Sequence, residues 1–289
     1  MMFCLNICEI FTSDWIEKEY LEIIYKRFCQ VHGIIKRIYI GSSFCSQYFM
    51  KFSGYEKLLD FCRNEHISVT LVLPVFSQKN IDNGKQKVNE IIRCSCGTVD
   101  EITVNDLGAL WWVHSNYDIQ TNLGRLFNKD SRDCRVPEYG KLGIQPFFLT
   151  NIGEDYWSNF NISGVELDPT NRIIDISGID DIDIEIGLHM PYCYTTTGNI
   201  CKFASIHRNI DQKFRPNLPC FMECMHITDT YSGHINQTDC DPALFRFGRA
   251  LYYKVNDLTE IKTKKTTRII FFPIDEWMVI RNENLGSLE

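Results

Sequence analysis

The sequence predicts an α/β protein folded as a (β/α) TIM-like barrel, closed or incomplete. One domain would span residues 1–289, with a cysteine-rich segment over 190–241 after the seventh strand. Three observations carry this expectation. Short β-branched runs alternate with stretches of helical periodicity, which implies a parallel sheet. The alternation recurs many times in an unbroken chain, which favours a barrel over the alternative, a doubly wound open sheet. The stretch Cys193–Asp241 departs from the pattern, holding several cysteines and little periodicity, and so reads as an inserted functional segment.

Taken in order, Met2 to Ile10 is expected as the first strand. Asp14 is an N-cap for a helix through Phe28, with Trp15, Tyr20, Leu21, Ile24 and Phe28 at helical spacing. Ile34 to Ile40 is the second strand, closed by Gly41-Ser42-Ser43. Tyr55 to Asn64 is a helix, and Ser68 to Phe76 a third strand rich in Val and Leu, as a strand buried on both faces should be. Lys85 to Arg93 is helical, and Glu101 to Val104 is a fourth strand ending at Asn105-Asp106. Gln120 to Phe127, Gly164 to Leu167 and Ile182 to His189 are the fifth, sixth and seventh strands, and Phe245 to Lys254 is expected as the eighth.

Composition narrows the function classes. Of 289 residues 13 are cysteine, about 4.5%, below the roughly 8–10% of a disulfide-built mini-protein. A chain of this length buries a core without such staples. Hydrophobic content of 44% and charged content of 23% are those of a globular protein. With 30 Lys+Arg against 37 Asp+Glu the formal net charge is -7, which argues against autonomous nucleic-acid binding. The basic run Lys262-Thr263-Lys264-Lys265 reads as a solvated turn. No apolar run approaches the roughly 18 residues of a membrane span, and Met1 to Glu9 has no basic region of a secretory signal. An odd cysteine count without an export signal points to a reducing, cytoplasmic setting.

In a barrel, chemistry gathers at the C-terminal ends of the strands. Those ends carry Cys45, Asn105-Asp106, Arg125, Glu166 and Asp168, then His189-Met190-Pro191-Tyr192, after which the chain enters the cysteine segment. Cys220 and Cys224 lie four residues apart, one helical turn, so both sulfurs can face one point. Cys193, Cys201 and Cys240 flank them. Soft thiolates gathered in this way select zinc, copper(I) or an iron–sulfur cluster. A structural zinc site usually takes two close pairs, whereas a [4Fe–4S] cluster accepts cysteines from distant segments. Cys4, Cys8, Cys29 and Cys62 sit on apolar faces and read as buried filler, and Cys94-Ser95-Cys96 as loop.

Several short motifs in one order resemble the UbiV-like branch of the U-thirty-two peptidase-like superfamily. They are Ile38-Tyr39-Ile40-Gly41-Ser42-Ser43-Phe44-Cys45-Ser46, Val104-Asn105-Asp106-Leu107-Gly108-Ala109, Gly124-Arg125-Leu126-Phe127-Asn128-Lys129 with Arg132-Asp133, and Gly164-Val165-Glu166-Leu167-Asp168. His189-Met190-Pro191-Tyr192, Cys201-Lys202-Phe203-Ala204 and Pro219-Cys220 through Cys224 complete the series, from about residue 34 to 254. The resemblance implies a [4Fe–4S] cluster on Cys45, Cys201, Cys220 and Cys224, with Cys240 as the reserve ligand in place of Cys45. It also implies a heterodimer with a related UbiU-like subunit, and oxygen-independent hydroxylation of a small aromatic, quinone-precursor-type substrate. Asn199 stands where the family has an arginine before the second ligand, and Thr195-Thr196-Thr197 precedes it, which suggests a divergent branch.

Asn105, Arg125 and Glu166 are then the candidate catalytic residues, binding a small anionic substrate or facing the partner, with Arg125 as a carboxylate clamp and a surface ion pair as its alternative. Two other classes compete: a non-catalytic electron-transfer or scaffold subunit, and a zinc-stabilised binding protein. No G-x-S-x-G or H-E-x-x-H motif supports a peptidase, and His207, His226 and His234 near the segment read as surface or supporting residues.

Overall fold

The structure is a computed structural model and describes residues 2–11, 20–127, 159–168, 174–175, 183–216, 218–225, 229–231, 244–255, 261–262 and 268–285. The expected cap Asp14 with Trp15, the Asn128, Lys129 and Arg132-Asp133 positions, His226, His234 and Cys240 lie outside the described residues.

Eight parallel strands close into a barrel. In chain order they are β1 (Met2–Asn6), β2 (Arg37–Gly41), β3 (Ser68–Val72), β4 (Val99–Val104), β5 (Gln120–Leu123), β6 (Ile162–Leu167), β8 (Glu185–Met190) and β14 (Arg268–Phe271). A short strand β7 (Ile174–Asp175) pairs with β13 (Ile261–Lys262) apart from the barrel. Between β8 and β14 lies an antiparallel sheet of β9 (Tyr192–Thr196), β10 (Asp229–Tyr231), β11 (Leu244–Phe247) and β12 (Ala250–Lys254). The described helices are α1 (Tyr20–His32), α2 (Ser46–Lys51), α3 (Tyr55–Asn64), α4 (Ile81–Ser95), α5 (Leu107–Asn116) and α6 (Ile274–Leu285).

The periodicities explain these elements. In α3, Tyr55, Leu58, Leu59 and Cys62 recur at helical spacing and are the buried face. Helix α4 packs so closely that a Cβ on Gly84 would stand 2.6 Å from the Phe76 ring. It runs through Cys94 and ends at Cys96, whose φ is 50°, so the expected Cys94–Cys96 loop is instead the end of a helix. Asp106 caps α5, its carboxylate accepting from Ala109 N at 2.8 Å.

One strand expectation is wrong. The eighth barrel strand is β14, not Phe245 to Lys254, which forms the β11–β12 hairpin of the second sheet. Phe247 pairs with Ala250, leaving Gly248-Arg249 as a two-residue turn, and Gly248 has a φ of 56°. A glycine opening a two-residue turn doubles the chain back on itself, so the run cannot continue as one strand. The true eighth strand has four residues and follows the basic run that read as a turn, which hid its Ile269-Ile270 core.

Alternation along the strands separates two environments. Ile38, Ile40, Leu71, Ile102, Val104, Leu123, Val165, Ile186 and Leu188 join the large apolar layer under the helices, each contributing about 1.5–3 kcal/mol by burial. The alternate positions face the lumen, as bonds across it show. Arg268 on β14 donates to Glu101 on β4 at 2.8 Å and to the Tyr39 hydroxyl at 3.0 Å, and the Thr103 hydroxyl reaches Glu166 at 2.5 Å. Cys4, Cys8, Val72 and Ile270 supply an apolar remainder, so Cys4 and Cys8 are core filler as expected. Barrel interiors are dominated by Val, Ile and Leu, whereas this one is laced with charge.

That network generates a prediction. Arg268 and Glu101 are both nine-tenths or more buried, so Arg268→Met leaves the lumen carboxylate with only the Thr70 hydroxyl at 2.6 Å and Arg37 at 3.9 Å, and should cost about 3 kcal/mol. Lys26→Met, which breaks the exposed pair to Glu22 on α1, should cost no more than about 0.5 kcal/mol. Urea denaturation checks both; equal midpoints for the two variants would overturn the assignment of the lumen pair as structural.

Candidate functional site

Strand β2 delivers Cys45. It ends at Gly41, whose φ of 107° and close approach to Val72 O, 2.3 Å from where a Cβ would stand, admit only glycine. The chain then turns through Ser42-Ser43-Phe44 onto a buried carboxylate. One oxygen of Glu9 accepts from the Ser42 hydroxyl, from Phe44 N at 3.0 Å and from Cys45 N at 3.2 Å. The Ser42 hydroxyl oxygen accepts in turn from Cys45 N at 2.7 Å. The Cys45 sulfur caps α2, accepting from Tyr48 N at 3.4 Å.

The other three thiols come from the segment between β9 and β10. Cys201 precedes a 3₁₀ turn, Phe203–Ser205, and its carbonyl accepts from the Ser205 hydroxyl at 3.1 Å. Cys220 and Cys224 bracket a tight bend in which Met222 adopts a φ of 61°, and Met222 N donates to the Cys220 sulfur at 3.2 Å. The pair is therefore carried by a bend and a 3₁₀ turn, Glu223–Met225, rather than by the α-helical turn that its spacing suggests. Lys51 at the end of α2 donates to the Cys220 carbonyl, tying the segment to the Cys45 helix.

Cys45, Cys201, Cys220 and Cys224 line one cleft, together with Asn199 and Arg249. The four thiols are free of disulfides. Burial pushes the Cys45 thiol up to about 12. Burial and then the neighbouring Cys45, Cys220 and Cys201 thiols push Cys224 well above its ordinary range, which places all four within each other's electrostatic reach. Burial likewise pushes the Cys220 thiol up, and a soft cation bound in the cleft would displace thiol protons.

Among the described residues no group of three or more His, Cys, Asp or Glu side chains is set to hold a metal ion. A lone zinc ion demands sulfurs converging to about 2.3 Å from one centre. A cubane of four irons offers each cysteine its own iron and so accepts thiols spread round a larger space. Four thiols from separate segments on one cleft match the second requirement. Cys193, flanking the segment, is instead buried against Leu244, Tyr253 and Val255 in the core of the second sheet.

The three candidate catalytic residues lie elsewhere, and all are buried. Asn105 donates to Leu73 O at 3.0 Å and accepts from Leu126 N at 3.3 Å, stitching the ends of β3 and β5. Arg125 is neither an open clamp nor a surface ion pair. Its guanidinium donates to Asp168 at 2.9 Å and to Tyr192 O at 3.0 Å, and lies over the rings of Phe44, Tyr194 and Tyr252. Burial alone would lower its pKa, and the Asp168 carboxylate more than reverses that. Glu166 sits in the lumen, bonded to Thr103 and 2.8 Å from His189 Nε2; burial raises its pKa to about 7.

No family model, curated protein or solved structure matches this chain. The site therefore rests on its own geometry. Glu9 and Arg249 are contributors that the sequence concealed: Glu9 lies far from Ser42 in sequence, and Arg249 reads as one cation within a strand. The only local signal was Gly248, which marks a turn able to aim its neighbour.

The lumen acid makes a testable claim. The native state keeps the Glu166 proton up to about pH 7, whereas an unperturbed carboxyl releases it near 4.5. The folded chain thus binds more protons between those values, and this contribution to stability is lost as pH rises through about 7. Glu166→Gln cannot ionise, so its melting temperature should gain on the wild type between about pH 5 and pH 8. Parallel melting curves for the two proteins across that range would exclude Glu166 as the group responsible.

Proposed function

We propose that this chain is a [4Fe–4S]-binding subunit, similar to the UbiV-like branch, of an oxygen-independent hydroxylase that acts on a small aromatic, quinone-precursor-type substrate with a partner subunit. One observation carries the reading: the four cysteines that the motif resemblance singles out line a single cleft. Cys45 comes from the end of β2 and the other three from the segment between β9 and β10, and the place of Cys45 on that cleft supports it as the fourth ligand. When bound, the cluster supplies one-electron redox chemistry. The chain's own residues hold the thiols in place: Glu9 fixes the Cys45 amide, Lys51 and Ser205 fix the Cys220 and Cys201 carbonyls, and Phe203 and Leu218 keep water from the back of the site.

A partner is supported by exposed apolar side chains in the cysteine segment. Ile200, Ile206, Ile210, Phe214 and Phe221, interleaved with the cysteines, are five of the twelve large apolar side chains exposed among the described residues. Grouped exposed apolar residues of this kind mark an interaction surface. The burial of Asn105, Arg125 and Glu166 favours, as a second reading, a division of labour in which this chain carries electrons and another chain holds the substrate. In either case the setting would be cytoplasmic and reducing, where thiols persist. No described helix is long and apolar enough to cross a membrane.

Purified without oxygen, the protein should contain about four iron and four acid-labile sulfide per chain. Cys45→Ala, Cys201→Ala, Cys220→Ala and Cys224→Ala should each lose most of the iron, whereas Cys62→Ala and Cys240→Ala should keep it. Zinc without iron would sink the proposal, and loss of iron in Cys240→Ala but not Cys45→Ala would exchange the fourth ligand.

A further inference from the structure

We propose that Arg249 is the charge-compensating residue of the cysteine cleft and that, opposed by Glu9, it sets the reduction potential of the cluster. The proposal rests on the cluster reading above, gives Arg249 a role which that reading leaves open, and adds a charge role to Glu9.

Arg249 sits at the tip of the β11–β12 hairpin, is 5% exposed, and lines the cleft with the four cysteines. Its Nε has no hydrogen-bond partner within the protein. A buried N–H without an acceptor is costly, and cluster sulfides and cysteine thiolates are acceptors. Charge points the same way. Four thiolates round a dipositive cluster core leave a net negative unit, which one more electron makes more negative. The other cation at the cleft, Lys51, is exposed to solvent and spends its ammonium on the Cys220 carbonyl. Arg249 is the buried one, where a charge acts with least screening.

Glu9 supplies the opposing charge. One of its oxygens holds the Cys45 loop, and the other has no hydrogen-bond partner. That second oxygen lies 2.9 Å from where a Cβ on Gly248 would stand, so the hairpin tip rests directly on Glu9. Glu9 therefore touches both the backbone of one ligand and the turn that presents Arg249. It is a positioning residue for Cys45; burial raises its pKa, the Ser42 hydroxyl, the Phe44 and Cys45 amides and Arg249 oppose that rise, and in its ionised form it sets a negative charge beside the site.

Residues that act by charge must move the potential in opposite directions, which a merely structural role would not produce. Protein loaded with iron and sulfide is titrated anaerobically with dithionite, each cluster taking one electron from the titrant as it passes from the 2+ to the 1+ state, and the reduced fraction is followed by paramagnetic resonance. In Arg249→Gln the reduced-to-oxidised ratio at a fixed potential should fall about tenfold, a shift of about 59 mV to lower potential. Arg249→Lys should restore most of it, and Glu9→Gln should shift the ratio the other way. An unmoved midpoint in Arg249→Gln, or shifts of the same sign in Arg249→Gln and Glu9→Gln, would overturn the proposal. If Arg249→Gln retains no iron, Glu9→Gln decides alone: a midpoint that stays or falls overturns it. Wild-type protein without iron would defeat the cluster reading itself, an outcome that metal analysis separates from all of these.

Discussion

The pairing of β14 with both β1 and β8 is the contact on which the molecule depends. It closes the sheet, leaves no barrel edge to solvent, and brings Arg268 into the lumen opposite Glu101. Because β14 comes late in the chain, everything between β8 and β14 is held as one excursion whose two ends are neighbouring strands. The cysteine segment and the second sheet are thereby confined beside the strand ends from which Cys45 emerges.

Charge is placed differently at the two levels of the structure. In and above the lumen it is paired: Arg268 with Glu101, and Arg125 with Asp168 at the strand ends, while Glu166 hydrogen-bonds to His189. Such pairs cost about as much to bury as they return, so they make poor stabilisers but strong constraints, since removal of one member is expensive. At the cleft, charge is left incomplete. Burial pushes the Cys45, Cys220 and Cys224 thiols up, the Arg249 Nε lacks an acceptor, and one Glu9 oxygen lacks a donor. Of these groups the Arg249 N–H is the one that an anion could satisfy, whereas the bare Glu9 oxygen would need a donor.

Much of the architecture was legible in the residues. Alternating strand and helix periods gave the parallel barrel, and seven of its eight strands fall close to the runs that predict them, because a strand sandwiched between lumen and helices must repeat its apolar positions. The eighth was missed since four residues are too few for a period to stand out beside a longer aromatic run. That longer run failed as a strand at Gly248, where a single backbone angle outweighs the side-chain pattern on either side. Arg125 was singled out as a clamp for the reason that makes it a good buried partner: a planar guanidinium suits a carboxylate whether the carboxylate belongs to a ligand or to Asp168.

The sequence by itself determined the fold class, the excursion after the seventh strand, and the group of cysteines with soft-ligand character, because these follow from local periodicity and residue chemistry. Tertiary structure alone decided which thiols share a cleft, that Arg125 and Glu166 face inward, and that Glu9 and Arg249 meet at the turn of Gly248. The physical reason is distance along the chain. A period of two or 3.6 residues is written within one element, whereas contacts between Glu9, Cys45, Cys201 and Arg249 exist only once barrel closure has folded four separate stretches onto one another.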